Sequence, residues 1–124
     1  MGIELDKIYF SGLKASAELH AGGIFFCIVY RSCIQFRNNG VVKYWSEVVD
    51  PLSPMDDYDI EQIINDRAEG NYFFNDRGYI ECHFDSARMR LTGKATNIPG
   101  TLAFTGYSNK SVYGWSEVFT CQNT

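Results

Sequence analysis

Histidine is scarce in this chain. Only His20 and His83 stand among the 124 residues, so most acid–base and zinc constellations have few candidates. Cysteine is sparse and scattered: Cys27, Cys33, Cys82 and Cys121 form no C-x-x-C. Cys27 and Cys33 fall six apart in one extended segment, roughly 20 Å along a strand, too far to bridge. Buried free thiols are the expected state. The longest strongly apolar run, Ile24 to Tyr30, has seven residues, far short of the roughly 20 that cross a bilayer as a helix. Bases are outnumbered 11 to 15 and form no basic stripe, which argues against nucleic-acid binding through phosphate neutralisation. No phosphate-binding loop, nucleophile elbow or dinucleotide fingerprint occurs.

What is abundant is aromatic. Nine Phe, eight Tyr and two Trp within 45% apolar residues exclude a disordered chain. The length predicts one domain, residues 1–124, with about two-thirds of its surface buried and no need of metal or disulfide support.

The dominant rhythm is two. Ile28, Tyr30, Ser32, Ile34 and Phe36 share one face of an extended segment, with Arg31, Cys33, Gln35 and Arg37 on the other, the pattern of a half-buried strand. Asn38-Asn39-Gly40 then supplies a tight turn, and Val41 to Val49 reads as the return strand. Pro51 and Pro54 break it. Ile60, Ile63, Ile64 and Arg67/Ala68 follow helical spacing, Asp56 or Asp57 suits the cap and Gly70 the C′ position, so a helix is predicted over 57–69. Period two returns in Asn71 to Asn75, Tyr79 to Asp85, Ala87 to Thr96, Thr101 to Tyr107 and Val112 to Cys121. The last carries Tyr113, Trp115 and Phe119 on one face, joined by Glu117. Ile8 to Phe10 reads as a strand, and Leu13 to Leu19 is open to a helical reading.

Strands eight to twelve residues apart, each ended by a turn signal, predict an antiparallel up-and-down meander of seven or eight strands. Closure into a small barrel or barrel-like sandwich removes its edges. The fold class is therefore mainly β, with one helix.

Charge is strongly segregated. Residues 1–45 carry +2, residues 46–69 carry −7 and residues 70–124 carry +1. The middle segment holds Glu47, Asp50, Asp56, Asp57, Asp59, Glu61, Asp66 and Glu69 against one base, Arg67. Such a field attracts a basic protein partner and accelerates its association; a solvated helix and loop is the plainer account of it. The acids in Met1 to Lys7 stand where a signal peptide needs bases, so a cytoplasmic protein, or a mature product without its leader, is expected.

Catalytic and metal residues are not evident. Glu81, His83 and Asp85 share one strand face but span roughly 13 Å, too far to hold one ion, and Asp56-Asp57-x-Asp59 lacks the glycine and bidentate Glu of a calcium loop. Arg88 and Arg90 are candidates to clamp a carboxylate or phosphate if their face lines the barrel, or to pair with Glu81 or Asp85 if it faces water. The aromatics exceed what one small core needs, which predicts that some are exposed at a pocket or interface.

Ile34-Gln35-Phe36 before Asn39-Gly40-Val41-Val42, then Gly70-Asn71-Tyr72 and the closing stretch from Ser108 to Phe119, resemble small bacterial calycin-like proteins, the lipocalin and fatty-acid-binding style of barrel. The likeness covers roughly residues 25–120. It implies a small ligand held inside, although neither Gly-x-Trp near the first strand nor Arg-x-Tyr near the carboxy end is present to carry an anchor across.

Three functions are weighed. The first is a non-enzymatic module that sequesters a basic partner such as a toxin domain, in the manner of an immunity protein, through Asp56, Asp57, Asp59, Glu61, Asp66 and Glu69. The second is a carrier of a small apolar ligand, with Arg88, Arg90 and Trp115 as ligand-binding residues. The third is a small enzyme using His83. No cofactor, metal, nucleic acid or membrane is expected.

Overall fold

Strand β1 (Ile8–Ser11) begins the structure, a computed structural model describing residues 3–19, 25–51, 67–85, 88–108 and 114–121. It is followed by β2 (Lys14–Leu19), β3 (Phe25–Phe36), β4 (Val41–Pro51), β5 (Ala68–Phe74), β6 (Ile80–Phe84), β7 (Met89–Ala95), β8 (Thr101–Ser108) and β9 (Trp115–Cys121). Every neighbouring pair is antiparallel, and each strand from β3 to β9 pairs with the next in sequence.

Both β1 and β2 lie along β3, β1 beside Cys33 to Gln35 and β2 beside Phe25 to Tyr30. They act as one strand interrupted at Gly12-Leu13. Because β1 also pairs with β9, Tyr9 opposite Cys121, the sheet closes on itself. The result is an eight-stranded up-and-down barrel without a free edge in its closed part.

Two of the short turns share one construction. Gly40 N–H donates to the Arg37 carbonyl and Arg37 N–H to the Val41 carbonyl; Gly78 and Asn75 repeat the pattern with Tyr79. Gly40 and Gly78 take φ of +80° and +78°, where a side chain is strained. Asn39 keeps an ordinary φ, so the Asn-Gly pair here makes a longer loop with one left-handed residue rather than a two-residue hairpin.

Alternation places Tyr9, Ile34, Phe36, Val42, Ile80, Cys82, Phe84, Leu91, Leu102, Phe104 and Phe119 in the interior, all essentially inaccessible. Their rings interlock: Phe36 stacks with Phe104 at 6.4 Å and meets Tyr9 and Tyr72 edge-on, while Phe104 meets Phe119 edge-on at 5.9 Å. Each such ring contributes roughly 2–3 kcal/mol through burial. This half of the barrel is a packed core.

Two expectations are corrected. Among the described residues there is no helix. The predicted 57–69 helix lies outside them up to Asp66, but Ala68 and Glu69 belong to β5, where Tyr44 and Lys43 of β4 take them as partners. Leu13 to Leu19 is not helical either, because Lys14–Leu19 is drawn into pairing with β3. Among the described residues no helix is long and apolar enough to cross a membrane.

Candidate functional site

The two ends of the barrel differ. At one, short turns over 37–40, 75–79 and 96–100 meet the amino-terminal segment, which is tied down by Asp6 N–H to the Phe36 carbonyl. Here Glu4 N–H donates to Tyr9 Oη at 2.8 Å and Cys121 Sγ donates to Glu4 Oε2 at 3.4 Å. Burial first, and the Glu4 carboxylate after it, push the Cys121 thiol up. At the other end lie the connections from β2 to β3, β4 to β5, β6 to β7 and β8 to β9. This is the far end.

Toward the far end the inward face turns polar. On β9 the inward residues are Trp115, Glu117, Phe119 and Cys121, so strict alternation carries a carboxylate into the barrel. Glu117 is 11% exposed, and Lys14 Nζ lies 2.7 Å from its Oε2. The same ammonium donates to Ser32 Oγ at 2.7 Å, and Tyr44 Oη donates to that oxygen at 3.1 Å. Ser46, opposite Ser32 across β3 and β4, is also buried.

The break between β1 and β2 builds part of this group. Ser32 N–H, facing the interruption, donates to Ser11 Oγ at 2.9 Å instead of to a strand carbonyl, and Ser11 donates on to the Gly12 carbonyl. The side chain thus satisfies a backbone group that would otherwise be stranded. One atom is not satisfied. Glu117 Oε1 is buried and has no hydrogen-bond partner, a state that costs about 1–3 kcal/mol, more for a charged group.

The polar group borders apolar side chains. Phe84 and Met89 are buried, the Tyr44 ring meets Phe84 edge-on at 6.1 Å, and half-buried Trp115 packs against the core. Beside Tyr44 the β4–β5 pairing stops at Ala68, and Lys43, Tyr44, Trp45, Arg67, Ala68 and Glu69 line an open cavity of about 660 Å³.

Trp115 is thus the one ligand-binding candidate that lies on the inner face. Arg88 and Arg90 do not share a strand face. Arg88 precedes β7 with φ of +50°, in the left-handed region, and only Arg90 is in the strand. Both are exposed and border a cavity of about 230 Å³ with Asp85 and Tyr107 at the outer rim. Arg90 stands opposite His83, not Glu81.

Of the acidic candidates, Asp56, Asp57, Asp59, Glu61 and Asp66 lie outside the described residues. Glu69 is exposed on β5, opposite Lys43, and Glu47 is ion-paired with Arg31. His83 sits in the outer wall, its ring against Phe73 and its Nε2 3.5 Å from Glu81 Oε1. Cys33, Cys82 and Cys121 are buried and form no disulfide. Among the described residues no group of three His, Cys, Asp or Glu side chains is placed to hold a metal ion. Among the described residues the exposed aromatics are Phe73, Phe74 and Tyr107.

Sequence reasoning placed Glu117 on the aromatic face of β9 but gave it no role. A lone charge at an inward position was the signal, repeated by Ser32 within the apolar face of β3. Lys14 carried no such mark.

Comparisons with protein-family models, curated proteins and solved structures return no match for the chain.

Proposed function

We propose that the protein is a non-enzymatic binding module that sequesters a basic protein partner, most simply a toxin domain, through the acidic chain between β4 and β5. The observation that carries this reading is the run from Asp56 to Asp66, five carboxylates with no intervening Lys or Arg, attached at both ends to a packed barrel. Glu47 is committed to Arg31 and Glu69 faces Lys43. The recognising charge is therefore that of Asp56, Asp57, Asp59, Glu61 and Asp66. A surface of one sign gives fast, salt-sensitive capture of an oppositely charged partner.

An apolar cargo in a calycin-like barrel is the alternative, with this barrel likened to that family in architecture alone. The ring-filled half leaves it little room, and the far end would present it with hydroxyls and a charged pair.

The test is calorimetry with purified basic toxin domains, at low and high salt. Affinity should fall steeply with salt, and at least tenfold when Asp56→Asn, Asp57→Asn, Asp59→Asn and Glu61→Gln are combined. A quadruple variant that binds as tightly as the parent would sink the proposal.

A further inference from the structure

The geometry points to a second site, independent of the acidic segment: Arg88, Arg90 and Asp85, at the corner between β6 and β7, bind a small hydroxycarboxylate. The argument begins with charges that do not meet. The two arginines face water, where Glu81 or Asp85 would be their partners. Neither takes one: among the described residues no ion pair involves Arg88, Arg90 or Asp85. Yet all three are exposed and line one cavity of about 230 Å³, with Phe84, Met89 and Tyr107. Room and access are thus found at the same side chains.

Local structure gathers these groups. Arg88 N–H donates to the Asp85 carbonyl at 3.2 Å, which returns the chain beside Asp85. Arg88 holds φ of +50° there, a left-handed conformation that strains a residue with a Cβ and suits glycine or asparagine. The turn alone gives no reason for an arginine. Arg90 follows in β7, and Tyr107 of β8 stands directly opposite it, the Cβ atoms about 5 Å apart.

Charge then sets the ligand. Two guanidiniums and one carboxylate leave a single positive charge, which one ligand carboxylate balances. A phosphate monoester carries nearly two negative charges at pH 7 and would be in excess beside Asp85. A guanidinium also holds a carboxylate through two parallel hydrogen bonds. Ionised Asp85 accepts hydrogen bonds and cannot donate them, so a ligand that reaches it needs a donor there. A hydroxyl supplies one and keeps the balance, whereas an ammonium would restore the excess charge. Buried Phe84 and Met89 and the exposed Tyr107 ring complete the lining and suit an apolar substituent on the acid.

The test is a titration of the ¹⁵N-labelled wild-type chain with glycolate, L-lactate, L-mandelate and L-phenyllactate at low ionic strength, followed by amide shifts. At least one should give saturable shifts at Asp85, Arg88, Arg90 and Tyr107 in the millimolar range or tighter. Arg90→Gln should weaken that binding at least tenfold. Arg88→Gly relieves the backbone strain, so it should keep or raise the melting temperature and still weaken binding at least tenfold. Asp85→Asn should remove the preference for L-phenyllactate over 3-phenylpropionate, which lacks the hydroxyl. The proposal is overturned if none of the four acids saturates those residues, if the shifts lie elsewhere, or if either arginine variant binds as well as the parent. It is equally overturned if phenyl phosphate or L-phenylalanine binds more tightly than L-phenyllactate, or if Asp85→Asn keeps the preference. Failure of toxin capture would leave these readouts untouched, so the two proposals fall separately.

Discussion

Lys14 Nζ lies 2.7 Å from Glu117 Oε2 although the two residues come from opposite ends of the chain. The contact exists because β1 pairs with both β3 and β9, so it reports barrel closure directly. Burial is unequal, with 11% of the Glu117 side chain exposed against 30% of Lys14. That inequality makes the pair asymmetric to mutation. Lys14→Met leaves a buried carboxylate with neither oxygen paired and should cost about 3 kcal/mol, near the low end for breaking a buried pair. Glu117→Leu frees an ammonium that can turn to water, and should cost about 1 kcal/mol. The double variant should be more stable than Lys14→Met alone. Urea unfolding of the three proteins checks this; additive losses would contradict it.

Alkaline pH should limit stability, and Cys82 should be a main cause. Burial pushes its thiol from an ordinary 9.0 up to about 12. The folded state therefore holds a proton that the unfolded chain releases above about pH 9, so this thiol's contribution to stability is constant below that value and is lost as pH rises toward 12. Burial likewise raises Tyr9, Tyr72 and Cys121, and their effects add in the same direction. Cys82→Ala should flatten the decline between pH 9 and 11 while lowering stability at neutral pH by the loss of packing. An unchanged slope in thermal melts across that range would contradict the assignment.

On the outer wall, the Arg31 guanidinium lies 3.8 Å from the centre of the Phe10 ring and its Nε is paired with Glu47. A planar group can stack and hold a carboxylate at once, which a lysine ammonium cannot. Arg31→Lys keeps the charge and should still cost about 1 kcal/mol in urea. A loss no larger than that of an arbitrary surface Arg→Lys change would mean the stacking contributes nothing.

How much of this was legible in sequence depended on the distance over which each feature is decided. The alternation of Ser32, Ile34 and Phe36 against Arg31 and Cys33 is local, and it located β3, its face and its turn. The end of the acidic segment was not local. Ile60, Ile63 and Ile64 have helical spacing, yet Ala68 to Gly70 continue into β5 because Val42 to Tyr44 offer a ladder there. Likewise Ala15-Ser16-Ala17-Glu18 has little strand preference of its own, and its pairing with Phe26 to Val29 decides the outcome. At the polar interior, Glu117 was visible as a charge on an apolar face. Its partner Lys14 was not, because only closure of the barrel brings the first strands to the last.

Closure also sets the demand for glycine inside the strands. Gly70 and Gly106 both lack a positive φ, so close approach, not backbone conformation, is what requires them. A Cβ on Gly106 would stand 2.5 Å from Leu91 Cδ2 and 2.8 Å from the Trp115 ring. Both are side-chain atoms, and the half-buried indole can tilt toward water. Gly106→Ala should therefore cost about 2 kcal/mol and shift tryptophan emission to the red as Trp115 meets water. A Cβ on Gly70 would stand 2.1 Å from the His83 carbonyl oxygen. That oxygen belongs to β6, which is held between β5 and β7, and it cannot move without breaking a ladder. Gly70→Ala should cost more than Gly106→Ala, about 3 kcal/mol or above, and should not shift the emission while the protein stays folded. Equilibrium unfolding followed by tryptophan fluorescence separates the two, and the reverse order of stability would show that the strands yield more readily than the side chains between them.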